Sequence, residues 1–140
     1  MIDRQTGDLN FAPAMYVRAG DSLDTVAALA LGELNNVHDI HTGWEWLSAR
    51  NVQVKPNYYA LRFGFCNKRL KMILLSVSRE RLESLSSWDN WSEQAEMQRL
   101  AELKQWICEE LGHEGHFPWG TITADYDIKS ASSSITINYN

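Results

Sequence analysis

Two apolar runs joined by a two-residue turn constrain the fold of this chain more than any other feature. Within residues 58–65 every second side chain is large and apolar, a period that is typical of a β-strand. The dipeptide Asn67-Lys68 predicts a turn, because Asn readily adopts positive φ. Residues 70–77 are nearly all apolar beyond Lys71, which predicts a central strand covered on both faces. The alternating positions of the first strand are Tyr59, Leu61, Phe63 and Phe65.

A long amphipathic helix is predicted over Ser87–Leu111, with Ser92 as a candidate N-cap and Gly112 as a C-cap. Apolar side chains three or four residues apart form a stripe along this segment, and we expect its glutamates to lie mainly away from that stripe. The stripe comprises Met97, Leu100, Leu103, Trp106, Ile107 and Leu111.

Shorter elements are predicted on either side of these two features. The first residues indicate two short strands, Leu9–Ala12 and Tyr16–Ala19, followed by a helix from Leu23 to about Leu31. The end of the chain alternates through two further strands, Trp119–Tyr126 and Ser132–Tyr139, which predicts a second hairpin.

Residues 35–56 show no clear period, and we expect Trp44, Trp46 and Leu47 to anchor this stretch on the core. The elements together predict one α+β domain over residues 1–140. In it, an antiparallel sheet of four to six strands carries one long amphipathic helix on one face. A length of 140 residues fits a single domain.

The overall charge argues against several classes of protein. Thirteen basic and 18 acidic residues give a formal net charge of −5, whereas a dedicated binder of nucleic acid or of an anionic membrane is normally basic. No stretch approaches the roughly 18 apolar residues that a membrane helix needs. The first ten residues contain no apolar signal region, so we expect a cytoplasmic protein.

Two histidine pairs, His38/His41 and His113/His116, have a three-residue spacing at which imidazoles can share a metal ion. Neither pair belongs to an HExxH motif, and the chain has no Cys-x-x-Cys motif. Short histidine pairs often match a metal-ligand spacing by chance. The favoured interpretation is therefore two polar loops without a metal ion.

The cysteines and aspartates have similarly simple interpretations. Without a secretion signal, Cys66 and Cys108 are expected to be buried, reduced thiols. Asp125 and Asp127 would face the same side of a strand, but Asp127 also opens a predicted turn, where Asp commonly bonds its own backbone. We therefore expect no catalytic residue, no metal ion and no cofactor.

Acidic and basic residues are segregated along the chain. Residues 89–114 carry seven acids and two bases, a net charge of −5, whereas residues 62–81 carry six bases and one acid, a net charge of +5. A polar helix face is often simply solvated. The acidic segment nevertheless also predicts a surface that could receive a basic partner.

Several motifs of the C-terminal half occur together in a recognisable order. They are Trp88-Asp89-Asn90-Trp91-Ser92-Glu93, Trp106, Leu111-Gly112, Trp119-Gly120, Tyr126-Asp127-x-Lys129-Ser130 and Ser133-Ser134-Ile135-x-Ile137-x-Tyr139. In this respect the chain resembles small uncharacterised bacterial proteins of the polymorphic or contact-dependent toxin immunity type. The resemblance implies an α+β domain without catalysis, and it transfers no catalytic residue.

The resemblance and the charge pattern together favour an immunity protein that binds and neutralises a cognate toxin. A nuclease is the favoured toxin, because an acidic surface can occupy the basic site that receives a nucleic acid. The expected partner-binding residues are Glu93, Glu96, Glu102 and Glu109, with Trp88 and Trp91 as anchors.

Two alternatives remain open. A nucleic-acid-binding module would use the basic hairpin of residues 62–81, with Tyr59 or Phe63 as a stacking group. Arg and Lys on a strand can, however, also guard an edge. A small enzyme or a metal-binding domain would instead use the histidine pairs or the two aspartates. The sequence does not indicate an oligomeric state.

Overall fold

The computed structural model describes residues 1–40, 42–79, 93–127 and 132–140. In chain order, the described elements are β1 (Leu9–Ala12), β2 (Met15–Val17), α1 (Leu23–Ala27), β3 (Glu33–Asp39), β4 (Trp44–Val54), β5 (Asn57–Cys66), β6 (Arg69–Ser78), α2 (Glu93–Leu111), β7 (Gly115–Phe117), β8 (Gly120–Asp127) and β9 (Ser132–Tyr139).

Seven of the described strands form one antiparallel sheet in the order β3-β4-β5-β6-β9-β8-β7, while β1 and β2 form a separate hairpin. The predicted α+β class, with an antiparallel sheet and one long helix, is confirmed. The expected four to six strands are too few. The difference arises because residues 35–56, which lack a clear period, contribute to β3 and β4, and because the short strand β7 was not expected.

The central hairpin of β5 and β6 is present as predicted. Tyr58 pairs with Ser78 at one end of the hairpin, and Cys66 pairs with Arg69 at the other. The connecting residues Asn67 and Lys68 have φ angles of 51° and 67°, the left-handed conformation that a tight hairpin turn requires. The position of β6 at the centre of the sheet also agrees with its apolar sequence.

One face of the sheet, the covered face, carries the core. Helix α2 packs across β8 and β9, and β1 contacts β4, so the alternating side chains on this face are removed from water. The strands contribute Leu47, Tyr59, Leu61, Phe63, Ile73, Leu75, Ile122, Ile135 and Ile137 to this core. Helix α2 contributes Leu103, Trp106, Ile107 and Leu111.

Polar contacts hold the N-terminal segment on the covered face. Tyr139 Oη donates to Gly7 O at 2.7 Å, and Trp119 Nε1 donates to Arg4 O at 2.9 Å. The N-terminal ammonium lies 3.0 Å from Glu110 Oε1 on α2. These contacts attach the N-terminal segment to β9, to the residue before β8 and to α2.

The other face of the sheet, the open face, keeps its side chains partly exposed. The expectation that β6 is covered on both faces is wrong, because Met72 and Leu74 are only half-buried. Both α2 and the β1–β2 hairpin lie on the covered face. The open face comprises Trp44, Trp46, Ser48, Arg62, Gly64, Met72, Leu74, Thr121, Thr123, Asp125, Ser134, Thr136 and Asn138.

The N-terminal elements are shorter than predicted. Strand β2 covers Met15–Val17 instead of Tyr16–Ala19, and α1 ends at Ala27. Ala30 and Gly32 have positive φ angles of 48° and 55°. The chain therefore leaves the helical path before Leu31, which is buried in the core instead.

Helix α2 ends at Leu111 as predicted, and the next residue, Gly112, has a φ of 91°. Its N–H donates to Cys108 O at 2.9 Å, which caps the C-terminal turn. The expected start at Ser87 and the expected N-cap Ser92 lie outside the described residues. Neither described helix is both long enough and apolar enough to cross a membrane.

Candidate partner-binding surface

The glutamates that the sequence assigned to a partner-binding face of α2 do not share one face. Each residue of an α-helix rotates by about 100°, so residues seven apart lie nearly in line. Glu96 lies seven residues before Leu103 and is therefore on the buried stripe, where it is 6% exposed. The expectation that Glu96 lies on an exposed face is wrong, and its spacing to Leu103 could have indicated this.

The buried position of Glu96 leaves its carboxylate poorly paired. Oε1 lies 3.9 Å from Arg99 Nη1, and Oε2 has no hydrogen-bond partner among the described residues. The Glu96 carbonyl oxygen accepts a hydrogen bond of 3.3 Å from the hydroxyl of Ser133 on β9. This contact helps to hold the start of α2 against the covered face of the sheet.

Glu102 and Glu109 do share a side of α2, because they are seven residues apart, and both are exposed. Glu93 is also exposed, but it lies nine residues before Glu102 and so about half a turn around the helix. The structure thus brings together two of the four expected glutamates. The expected anchors Trp88 and Trp91 lie outside the described residues.

Glu102 and Glu109 line a groove of about 930 Å³ between α2 and the ends of β4, β5 and β6. Tyr59 and Trp106 form part of its wall, and Trp106 Nε1 donates to Tyr59 Oη at 3.2 Å. Burial raises the pKa of the Tyr59 phenol above its ordinary value. The groove also contains basic side chains, among them Arg99, so it is not uniformly acidic.

The stacking groups that the nucleic-acid alternative requires are not accessible. Tyr59 is 2% exposed and Phe63 is fully buried, because both point to the covered face. The prediction that they stack on bases is therefore wrong. On the strand between them, Arg62 is exposed on the open face, with its guanidinium carbon 5.2 Å from the centre of the Trp46 ring.

Trp44 and Trp46 form an aromatic patch on the open face. Their ring centres are 5.9 Å apart and their planes differ by 16°. Gly64 on β5 makes room for them, since a Cβ atom there would lie 2.8 Å from the Trp46 ring. The expectation that both tryptophans anchor the core is wrong, whereas Leu47 does so at 2% exposure. Their alternation with Leu47 is a signal that could have separated the two faces.

The candidates for metal or thiol chemistry are dispersed. His38 and His116 are exposed on the two edge strands β3 and β7, and His113 stacks on Phe117 with ring centres 4.5 Å apart. Within residues 1–40, 42–79, 93–127 and 132–140, no three potential metal ligands are grouped. His41 lies outside these ranges.

The two cysteines and the two aspartates lie outside the buried core. Cys66 and Cys108 are free thiols, but the expected burial is wrong for both: Cys66 is half-buried at the end of β5, and Cys108 is exposed because it lies off the buried stripe of α2. Asp125 and Asp127 are both exposed and lie two residues apart on β8, so they share a face, as predicted.

No protein-family model matches the chain, and no curated protein matches its sequence at a significant level. Among solved structures, the chain is similar to one chain of Rhs1-CT in complex with cognate immunity protein RhsI1. The similarity covers 99% of this chain and 86% of that chain, with a TM-score of 0.55 and 14% sequence identity. At this identity the similarity concerns the fold. The shared fold is that of one chain of a toxin–immunity complex, which is consistent with the resemblance that the C-terminal motifs indicated.

Proposed function

We propose that this chain is an immunity protein that binds and neutralises a cognate bacterial toxin in the cytoplasm. The observation that carries this proposal is the fold similarity, over nearly the whole chain, to a chain of the complex between Rhs1-CT and its immunity protein. The motifs of the C-terminal half support the same function independently. Neutralisation by binding requires no catalytic step and no cofactor.

The toxin is proposed to be a nuclease that contacts the exposed acidic side of α2. Glu102 and Glu109 lie on one side of the helix beside the groove, whereas Glu93 adds a negative charge on the opposite side of the same helix. Arg99, three residues before Glu102, adds one positive charge near this side, whereas Lys104 lies on another side of the helix and is paired with Glu114 at 3.0 Å. A basic site that binds phosphates would be attracted to such a surface, and the attraction would weaken with salt.

Charge reversal on α2 tests this surface. The double variant Glu102→Lys/Glu109→Lys is expected to bind the toxin about tenfold more weakly at low salt, because it places two like charges against a basic partner. Affinity is measured by titration calorimetry at two salt concentrations. Asp24→Lys, the same reversal at an exposed position on α1, is the control and should retain the affinity.

The outcomes separate the function from the surface. If the wild-type chain binds none of the candidate toxin nucleases, the immunity function is contradicted. If the wild type binds but the double variant retains both its affinity and its salt dependence, the acidic surface is contradicted and the immunity function stands.

A further inference from the structure

The open face of the sheet carries an apolar strip that the proposed toxin contact does not use. Trp46 pairs across the sheet with Gly64, and Gly64 pairs with Met72. Leu74 lies beside this row, and Trp44 stacks on Trp46. The four large side chains are all half-buried and lie on the same face of the neighbouring strands β4 and β6, on either side of Gly64. Helix α2 is on the opposite face, so a partner bound to α2 leaves this strip free.

The aromatic side chains of the strip are already ordered in the free protein. Trp46 rests on Gly64, and the Arg62 guanidinium carbon lies 5.2 Å from its ring centre on the same face. Side chains that are already ordered lose little conformational entropy on binding. Trp and Arg are also the residue types most enriched among the energetically dominant contacts of protein interfaces. These features favour a protein as the occupant.

The charges of the open face are arranged so that the face is complementary to itself. Arg62 lies on β5, and Asp125 lies on β8, three strands away across β6 and β9. Between them the face presents short polar side chains such as Thr136 and Ser134. One side of the face is therefore basic and aromatic, and the other side is acidic and hydroxyl-rich.

We propose that the open face binds a second copy of this chain, with the two-fold axis parallel to the strands near β6. This axis places β4 and β5 of one copy over β8 and β9 of the other, so that each Arg62 faces the partner's acidic side. The opposing Asp125 is displaced from Arg62 by about one strand spacing across the sheet and two residues along it, on the side away from Trp46. The Arg62 side chain therefore has to leave the Trp46 ring to reach this carboxylate, a distance that an arginine side chain can span. A two-fold axis across the strands would instead stack β5 on itself and oppose like charges.

The size of the face agrees with a stable dimer. Five strands about 4.8 Å apart, each of about eight residues, span roughly 24 Å by 26 Å. This amounts to about 600 Å² on each copy, or about 1,200 Å² in total. The total lies at the lower end of the range for specific protein interfaces. Aligned packing of two sheet faces is also a common arrangement in β-proteins.

A charge-swap experiment tests the dimer without needing the toxin. Sedimentation equilibrium of the purified chain across the micromolar to millimolar range should give a dimer. Arg62→Asp and Asp125→Arg should each raise the dimer dissociation constant by about tenfold or more. The double variant Arg62→Asp/Asp125→Arg should restore association, because the two charges are exchanged in both copies.

Two further variants complete the design. Gln98→Asp adds an acid at an exposed position on α2 and should leave the dimer unchanged. Trp46→Ala should weaken the dimer, and a circular dichroism spectrum identical to that of the wild type shows that it still folds. A wild-type chain that stays monomeric throughout the range overturns the proposal. Restoration that fails in the double variant overturns it too, as does a dimer that is insensitive to all of these changes.

Discussion

At the scale of single residues, Tyr139 joins the last strand to the N-terminal segment. Its phenol is 3% exposed, and Oη donates to Gly7 O at 2.7 Å. Burial raises the pKa of this phenol strongly above its ordinary value of 10.0, and the nearby charges of Asp8 and Asp21 raise it further. The folded state therefore holds Tyr139 in its neutral form.

This raised pKa predicts a loss of stability in alkaline solution. The unfolded chain can ionise Tyr139 near its ordinary pKa, whereas the folded chain cannot, so the stabilisation is complete below about pH 10 and is lost as the pH rises further. Urea unfolding between about pH 8 and pH 11 should show a declining free energy of unfolding. Burial acts in the same direction on Tyr59.

Substitution of Tyr139 tests separately the hydrogen bond that its hydroxyl makes and the alkaline loss of stability that its ionisation causes. Tyr139→Phe should lose about 1 kcal/mol at neutral pH, the net value of one hydrogen bond. Its stability should then decline less steeply than that of the wild type above pH 10. Tyr16→Phe, at a position that is 40% exposed, is the matched control and should change neither quantity. An unchanged alkaline slope in Tyr139→Phe would contradict the assignment.

At the scale of elements, the strands that the sequence predicts are those with a clear alternation of apolar and polar residues. The β5–β6 hairpin was predicted because one face of β5 is buried and Asn67-Lys68 supplies the turn. The sequence does not predict β3, because β3 is an edge strand whose side chains are largely exposed, so neither of its faces has to be apolar. In β4 the register shifts between Ala49 and Val52, which interrupts the alternation.

The long helix α2 is predicted correctly, but one of its glutamates is assigned to the wrong side of the helix. The sequence predicts the apolar stripe through Leu103 and Ile107 but places Glu96 away from it, although Glu96 lies on the stripe. A charged residue on the buried stripe contradicts the simple rule that polar residues face water. Contacts with β9, such as that of Ser133, decide where the stripe begins, and these depend on the tertiary fold.

Replacement of Glu96 should therefore stabilise the protein. Glu96→Met keeps the length and helix propensity of the side chain while removing a buried carboxylate whose Oε2 has no partner among the described residues. We expect the free energy of unfolding to rise by about 1 kcal/mol in urea denaturation. Glu93→Met, at an exposed position of the same helix, should change it by less than about 0.5 kcal/mol.

The same variant tests the role that the charge pattern assigned to Glu96. A buried side chain cannot contact a partner directly, so Glu96→Met should bind the toxin as tightly as the wild type does. A clear loss of toxin affinity without a loss of stability would show that Glu96 does contribute to toxin binding. A loss of stability would instead contradict the energetic argument.

At the scale of the whole molecule, the sheet places the acidic helix α2 on one face and Arg62, from the basic segment, on the other, whereas Arg79 lines the groove beside α2. The charge counts indicated that residues 89–114 are acidic and residues 62–81 are basic. They did not indicate that α2 would lie on one face while Arg62 and the tryptophans lie on the other. That separation depends on the strand order, in which β6 pairs with β9 and so brings the C-terminal hairpin beneath α2. Local periodicity carries no information about this pairing.

The separation predicts that toxin binding and self-association are independent. Two sites on opposite faces of a rigid sheet, with no shared residues, should have a coupling free energy near zero. Arg62→Asp, which should favour the monomer, is therefore expected to bind the toxin with the wild-type dissociation constant, within about twofold. Calorimetry measures the affinity, and sedimentation velocity at concentrations above the dimer dissociation constant should detect a 2:2 complex with the wild type and a 1:1 complex with the variant. A toxin that dissociates the wild-type dimer would place both contacts on the same face, because one partner would then be displacing the other.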